Sequence, residues 1–259
     1  MTTDDFARHQ RLMIATLQST WGLETRVRDD MLDLVRTYAA LSETGYVQLP
    51  FMLEKPRGVP SPHFWVSLLD GNDTIALAAF RTMYNGEHEQ TCASFMADGG
   101  LYPSQGGRPE AYLRNQGPVL APHARFGYLG AGWVHPRWRG YNLAGYVSRI
   151  VYAQAAVRAA HELSLVSAMT FEPMFRTGMN QRASGWHHAH VDLVLDGHLA
   201  ALDKDVRMYF SHNTMAEQAA LYRMELEHLD AGLPVPWLRK HDKTSVPVLL
   251  AAAAVKECP

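Results

Sequence analysis

The chain has 259 residues and a mass of 29.0 kDa, with 47% hydrophobic and 19% charged residues. Lys plus Arg total 24 against 26 Asp plus Glu, a net charge of −2 with no basic block, which argues against a dedicated nucleic-acid or polybasic membrane binder. The apolar content, with 6 Trp, 11 Tyr and 9 Phe, excludes a disordered chain.

Two cysteines, Cys92 and Cys258, are too few for a disulfide framework or a cysteine metal site. The start lacks a basic region followed by an apolar run, so no secretory signal is expected. The longest greasy segment, Val246 to Val255, is too short to span a membrane and contains Pro247. A cytoplasmic protein with free thiols is the simplest expectation.

Residues 4 to 42 read as helical, interrupted at Gly22. Phe6, Leu12, Met13, Leu17 and Trp21 form one stripe, and Met31, Leu32, Leu34, Val35 and Tyr38 a second. Arg26, Arg28, Asp29, Asp30 and Asp33 are assigned to the wet side of the second run, which Gly45 ends. Four prolines between 46 and 62 predict an irregular connection. Phe64 to Leu69, a turn at Asp70–Asp73, and Thr74 to Phe80 predict a hairpin. Thr91 to Met96 reads as a strand, and the Gly/Pro-rich stretch 99–122 as a functional loop or an insertion.

A strand from Phe126 to Val134 then leads through a polar turn into a long helix lined by Tyr146, Ile150, Ala153, Val157 and Ala160, ending near His161-Glu162. Leu163 to Phe171 is a strand, Phe175 to Ser184 a short helix stopped by Gly185, and His188 to Leu195 an alternating strand closed by a turn at Asp196-Gly197. Val206 to Phe210 completes the strands. Thr214 with Glu217 predicts a capping box for a helix to Leu229, followed by a proline-rich tail. This order implies an α/β or α+β sheet with one parallel crossover in its second half.

The segment carrying most chemistry is Val134-His135-Pro136-Arg137-Trp138-Arg139-Gly140-Tyr141-Asn142-Leu143-Ala144. A helix start leaves its first N–H groups unpaired, and with the helix dipole they suit a phosphate or pyrophosphate. Gly140 permits close backbone approach, and Arg137 and Arg139 can add charge-assisted bonds. This segment resembles the acyl-CoA pyrophosphate loop of the GCN5-related N-acetyltransferases, in which a strand ending Val-x-Pro precedes Arg/Gln-x-x-Gly-x-Gly/Ala. Val134, Pro136, Arg139, Gly140 and Ala144 match. Asn142 stands where the middle glycine usually does, and Asn tolerates left-handed backbone.

The resemblance spans roughly residues 60 to 212, and it implies a mixed, mostly antiparallel twisted sheet with a splayed parallel strand pair flanked by helices. It divides a single domain, 1–259, into a helical N-terminal extension (1–45), an acyl-CoA-binding core (60–212) and a C-terminal helix and tail (213–259). It implies acetyl-CoA or another acyl-CoA as co-substrate, with the diphosphate on the backbone of Arg139 to Ala144. Trp133 and Val134 would bond the pantetheine arm, with His135, Arg137, Tyr141 and Leu143 completing the lining. Many relatives carry a tyrosine four residues before the Gly-aromatic step, where Gln181 stands here. Met174 replaces an asparagine often found early in that helix.

Candidates for proton transfer are Tyr128 on the strand before the turn, Glu172 just past the next strand, His188 as a base near neutral pH, and Glu87 or Glu89 in a loop. Each has a plainer role as a buried aromatic or a solvated side chain. His188 and His190 fall on one strand face about 7 Å apart, and a zinc site would need His198 or His212 as well. Nothing fixes such a set, so no metal is expected. Met169, Met174 and Met179 suit an adaptable pocket or core filling, and Arg108 and Arg114 lie in the 99–122 stretch as candidate carboxylate binders. The sequence thus points to an N-acyltransferase acting on a small-molecule amine or amino acid, with no nucleic-acid or membrane partner, and a homodimer is compatible with it. An N-acyl amino acid synthase-like enzyme using a carrier-bound or longer acyl chain, and a non-catalytic acyl-CoA binder, are the alternatives.

Overall fold

The computed structural model describes residues 1–41, 51, 62–101, 110–159, 161–176, 189–233 and 235. Helix α1 (Thr3–Trp21) opens on a capping box between Thr2 and Asp5 and ends at Gly22, whose φ of 70° only glycine adopts without strain. Its buried residues, Phe6, His9, Met13 and Leu17, recur every three or four positions and form one stripe.

The chain then departs from expectation. Glu24–Arg28 is a strand, β1, so Arg26 and Arg28 belong to a sheet edge rather than to the second helix. That helix, α2, covers only Met31–Leu41. Five residues with three charges carry little strand signal, yet β1 pairs antiparallel with β2 over its whole length. The hairpin of β2 (His63–Asp70) and β3 (Asp73–Tyr84) forms as anticipated, turning at Gly71-Asn72.

The strand expected at Thr91–Met96 is instead a two-residue strand, β4 (Gln90–Thr91), followed by helix α3 (Cys92–Ala97). Thr91 caps that helix by accepting from the Ser94 N–H, and Cys92, Ala93, Phe95 and Met96 bury at helical spacing. A second short strand, β5 (Val119–Leu120), pairs with β4.

Strand β6 (Arg125–Val134), helix α4 (Leu143–Ala159) and strand β7 (Leu163–Phe171) form the parallel crossover. Helix α5 (Glu172–Arg176) follows directly; the Phe175–Ser184 helix lies mostly outside the described residues. Strand β8 (His190–Leu199) runs on through Asp196-Gly197, and the expected turn comes later, at Ala200–Asp203. A register shift between Leu193 and Leu195 breaks the alternation read there. Strand β9 (Lys204–Thr214) leads into helix α6 (Met215–Asp230), capped by Thr214 and Glu217 as anticipated.

Seven strands form one sheet in the order β1-β2-β3-β6-β7-β9-β8, antiparallel except for β6-β7. On one face α1, α4 and α6 bury Met13, Ile150, Val151, Tyr222 and the outward residues of β2 and β3. Fully burying each such aliphatic contributes about 1.5–3 kcal/mol. The opposite face packs Trp65, Phe126, Tyr128 and Phe210 beneath α2, α3 and Leu120.

Within the first layer lies an ionic knot. Glu225 of α6 accepts from Arg149 Nε of α4 at 2.8 Å and lies 2.6 Å from His9 Nε2 of α1, with none of the three more than 1% exposed. His9 also stacks on Tyr222, ring centroids 4.1 Å apart. Of the 99–122 stretch, residues 99–101 and 110–122 are described. Residues 111–113 bond along the outer edge of β8, with Ala111 N donating to His198 O and Leu113 N to Val194 O, while Cys92 N donates to Pro118 O.

Candidate functional site

The parallel pair defines the geometry. Strands β6 and β7 pair from Arg125↔Leu163 to Leu129↔Ala168 and no further, so Gly130–Val134 and Met169–Phe171 part from one another. On its other side β6 keeps its bonds to β3, with Gly130 opposite Ala79 and Trp133 opposite Leu77. Two residues of β6, Ala131 and Gly132, therefore face one of β3, a bulge that re-aims the strand. Ala131 adopts φ 48°, a left-handed conformation costing a non-glycine residue on the order of 1 kcal/mol.

From the bulge the chain runs into the turn singled out in the sequence. His135 N donates to Ile75 O at 2.8 Å, and His135 Nδ1 accepts from Arg137 N. Pro136–Trp138 make one 3-10 turn. Gly140 (φ 91°) and Asn142 (φ 62°) are both left-handed, so Asn142 supplies the conformation that glycine would otherwise give. Gly145 N then donates to Asn142 O at 2.9 Å and α4 begins at Leu143.

Pro136, Arg137, Arg139 and Gly140 are exposed, while Trp133, Val134, His135, Tyr141, Asn142 and Ala144 are partly so and Leu143 is buried. Among the described residues, the N–H groups of Gly140, Leu143 and Ala144 have no hydrogen-bond acceptor, and Arg137 and Arg139 form no ion pair. Trp138 and Tyr141, ring centroids 5.4 Å apart, hold the turn against the core from below. Open donors, two unpaired cations and a gap between diverging strands thus share one end of the sheet.

The candidate proton-transfer residues lie apart. Tyr128 is 1% exposed on β6, opposite Ser167 and stacked on Phe51 at 5.7 Å, so it is enclosed by the second layer. Glu172 opens α5 and accepts from Arg176 Nη2 at 2.8 Å and Arg207 Nη1 at 3.5 Å, which commits its carboxylate to two cations. Glu87 and Glu89 are exposed in their loop. His188, Met179, Gln181 and Arg108 lie outside the described residues, and Arg114 pairs with Asp98 at 2.8 Å. His190, His198 and His212 are not gathered with other ligands into a metal-holding group among the described residues.

Sequence reading missed the neighbourhood of Glu172. An open cavity of about 430 Å³ at the C-terminal end of β7 is lined by Phe171, Glu172, Asp196, Lys204, Asp205 and Arg207. Arg207 Nε donates to Asp196 at 3.0 Å across its mouth. The expected turn at Asp196-Gly197 had hidden this, because a turn would have left Asp196 and Arg207 far apart.

No family model and no curated protein matches the chain. Solved structures overlap it in part. NAA60 of Arabidopsis thaliana in complex with acetyl-CoA is 10% identical with a TM-score of 0.43, covering 74% of this chain and 99% of that one. The GNAT domain of S. lividans PAT is 15% identical with a TM-score of 0.36, covering 73% and 90%. The acyl-homoserine lactone synthase BjaI is 11% identical with a TM-score of 0.33, covering 90% and 83%. Overlaps this partial leave the assignment to the sheet itself. With a single parallel pair that parts toward its ends, antiparallel strands on both sides, and a glycine turn opening the helix between the parted strands, the chain has the mixed, mostly antiparallel sheet with a splayed parallel pair and flanking helices that the sequence resemblance implied.

Proposed function

We propose that the chain is an acyl-CoA-dependent N-acyltransferase that moves acetyl from acetyl-CoA to the amine of a small molecule or amino acid by direct attack. The observation that carries this reading is the turn at Gly140–Ala144, with its two left-handed residues and, among the described residues, no acceptor on the N–H groups of Gly140, Leu143 and Ala144, beside the gap between β6 and β7. A diphosphate on those donors would also meet the positive end of the α4 dipole and the side chains of Arg137 and Arg139. The pantetheine arm would follow the β6 edge at Trp133 and Val134 into the gap, bringing the thioester to the bulge at Ala131. The protein's contribution is position and oriented backbone dipoles at the carbonyl oxygen.

The cavity beside Glu172 opens at the same end of the sheet and suits the acceptor, because Asp205 can meet an ammonium group and Lys204 an acid group, while Glu172, Asp196 and Arg207 hold one another in place. No metal enters this chemistry, which needs only a thioester and a free amine. Calorimetry with acetyl-CoA, together with free-thiol release over a panel of amines and amino acids, tests the reading. Micromolar binding with release for a subset of amines is expected. Binding without release would leave an acyl-CoA-binding protein, and activity with acylated carrier alone would indicate the synthase-like chemistry.

A further inference from the structure

The hairpin of β8 and β9 outruns the strand it lies beside. Strand β9 starts at Lys204, but its first partner on β7 is Phe171, which stands opposite Met208. Lys204–Arg207 therefore pair with β8 on one side and, among the described residues, face no β7 residue on the other. At about 3.3 Å per residue this overhang is roughly 13 Å long. The cavity of about 430 Å³ lies along all four of its residues, with Phe171, Glu172 and Pro173 as the opposing wall.

The direction of the backbone groups follows from the outer edge of the hairpin. Asp196 N donates to Ala111 O and Ala111 N to His198 O, so Asp196 and His198 turn their backbone away from β9. Alternation leaves Gly197 and Leu199 to bond β9 through their partners, Val206 and Lys204. The backbone groups of Asp205 and Arg207 consequently point to the side that β7 has vacated, along the cavity. Ala111 takes up the outer rim at residues 196 and 198, which leaves the inner rim as the template the hairpin offers.

That rim is held in place. Arg207 donates from Nε to Asp196 and from Nη1 to Glu172, tying β9 to β8 and to α5. Phe175 of α5 stacks on Tyr209, ring centroids 4.2 Å apart. Lys204, at the far end, is exposed and forms no ion pair among the described residues. At the near end Phe171 belongs both to the parted segment Met169–Phe171 and to the cavity wall, so the cavity runs on from the β6–β7 gap.

Resting on the acyltransferase reading, we infer that the amino acid acylated here is the first residue of a short peptide, which adds to the β9 overhang as an extended strand. Its amine lies at the Phe171 end, facing the gap, and its carboxylate at Lys204. It runs antiparallel to β9, whose own direction is from Lys204 toward Met208. Roughly 13 Å at 3.3 Å per residue sets the length at about four residues, or three once the reach of the Lys204 side chain is counted. A free amino acid spans one of these positions and cannot meet the gap and Lys204 together. Main-chain hydrogen bonds supply the affinity in strand addition, so the demand on side chains is slight. The terminal nitrogen, as the free amine, bonds the acyl carbon while the carbon–sulfur bond breaks. The proton it sheds ends on the thiol, leaving an N-acyl peptide and CoA.

Thiol release by the intact chain with acetyl-CoA tests this over alanine, dialanine, trialanine, tetra-alanine and trialanine amide. From alanine to trialanine, kcat/KM is expected to rise at least about tenfold and then level off. Successive amides of a strand point to opposite edges. N-methylation of trialanine at its second and at its third residue should therefore differ, one raising KM at least about tenfold and the other little. Lys204→Gln should raise KM for trialanine severalfold and narrow the difference between trialanine and its amide, at an unaltered melting temperature. Alanine performing as well as trialanine, equal responses to the two methylations, or a Lys204→Gln variant that keeps the full difference between acid and amide overturns the inference. A wild type that binds acetyl-CoA yet releases thiol with no amine, peptides included, overturns the acyltransferase reading itself. An active wild type that prefers single amino acids or simple amines to every peptide removes only the strand addition.

Discussion

The buried knot of His9, Arg149 and Glu225 makes a sharp energetic prediction. Glu225 is fully buried, which alone would raise its carboxyl, yet Arg149 and His9 outweigh that burial and hold it at about 2 instead of 4.5. That drop, at about 1.4 kcal/mol per pH unit, corresponds to roughly 3–4 kcal/mol of stability linked to this proton. Because the folded value lies below the unfolded one, the contribution is complete above pH 4.5 and is lost as pH falls toward 2. Glu225→Gln removes it and leaves the Arg149 guanidinium buried without a counter-charge, for a cost of about 3–5 kcal/mol at pH 7. In a domain of this size that lowers Tm by roughly 10 °C.

The double variant Arg149→Met/Glu225→Leu removes both charges and should recover most of the loss, since a well-packed apolar pair often replaces a buried ion pair without penalty. Urea unfolding at pH 7, repeated at intervals from pH 6 down to pH 3, measures both effects. Wild-type stability should fall more steeply than that of Glu225→Gln below pH 4.5. A single variant within about 1 kcal/mol of wild type, or parallel acid slopes, would refute the reasoning.

Three further outcomes rest on packing and backbone geometry. A Cβ on Gly127 would meet ring carbons of Phe80 at 2.6 Å and Val166 Cγ1 at 3.3 Å; Gly127→Ala should therefore cost about 1–3 kcal/mol in denaturant unfolding, with Phe80→Leu restoring part of it, and an unchanged midpoint contradicts this. Gly140 is exposed with open space around its Cα but sits at φ 91°, so Gly140→Val should cost only about 1–2 kcal/mol of stability while weakening acetyl-CoA binding at least tenfold by calorimetry; an unaltered Kd removes the turn from the site. Cys92 is buried, and desolvation pushes its thiol well above the usual range, so peptide mapping should find it unalkylated in the native protein and modified only after unfolding.

Much of the core was legible because its signals are local. The hairpin turn Asp70–Asp73, the capping pairs Thr2/Asp5 and Thr214/Glu217, and the strand–turn–helix from Val134 each place recognisable residues within a few positions of one another. What escaped depends on partners distant in the chain. Strand β1 exists because β2 offers an edge, and its alternating charges disguise it. Thr91 reads as a strand former until Ser94 claims its hydroxyl. The cavity at Glu172 depends on β8 continuing past Gly197, whose φ of 128° looks like a turn residue but serves close packing, since a Cβ there would meet Ala111 at 2.9 Å. The overhang of β9 beyond Phe171 is invisible without the register of three strands.

The segment at residues 111–113 bears on how copies of this protein behave in company. By bonding along β8 it occupies a rim that would otherwise template growth by another chain. At the opposite rim, β1 presents Glu24, Arg26 and Arg28, whose charges discourage stacking of strand upon strand. Deleting the 111–113 contacts would therefore uncover the outward backbone groups of Val194, Asp196 and His198 as a ready-made template, and the expected first symptom is edge-to-edge association of copies rather than a lost activity.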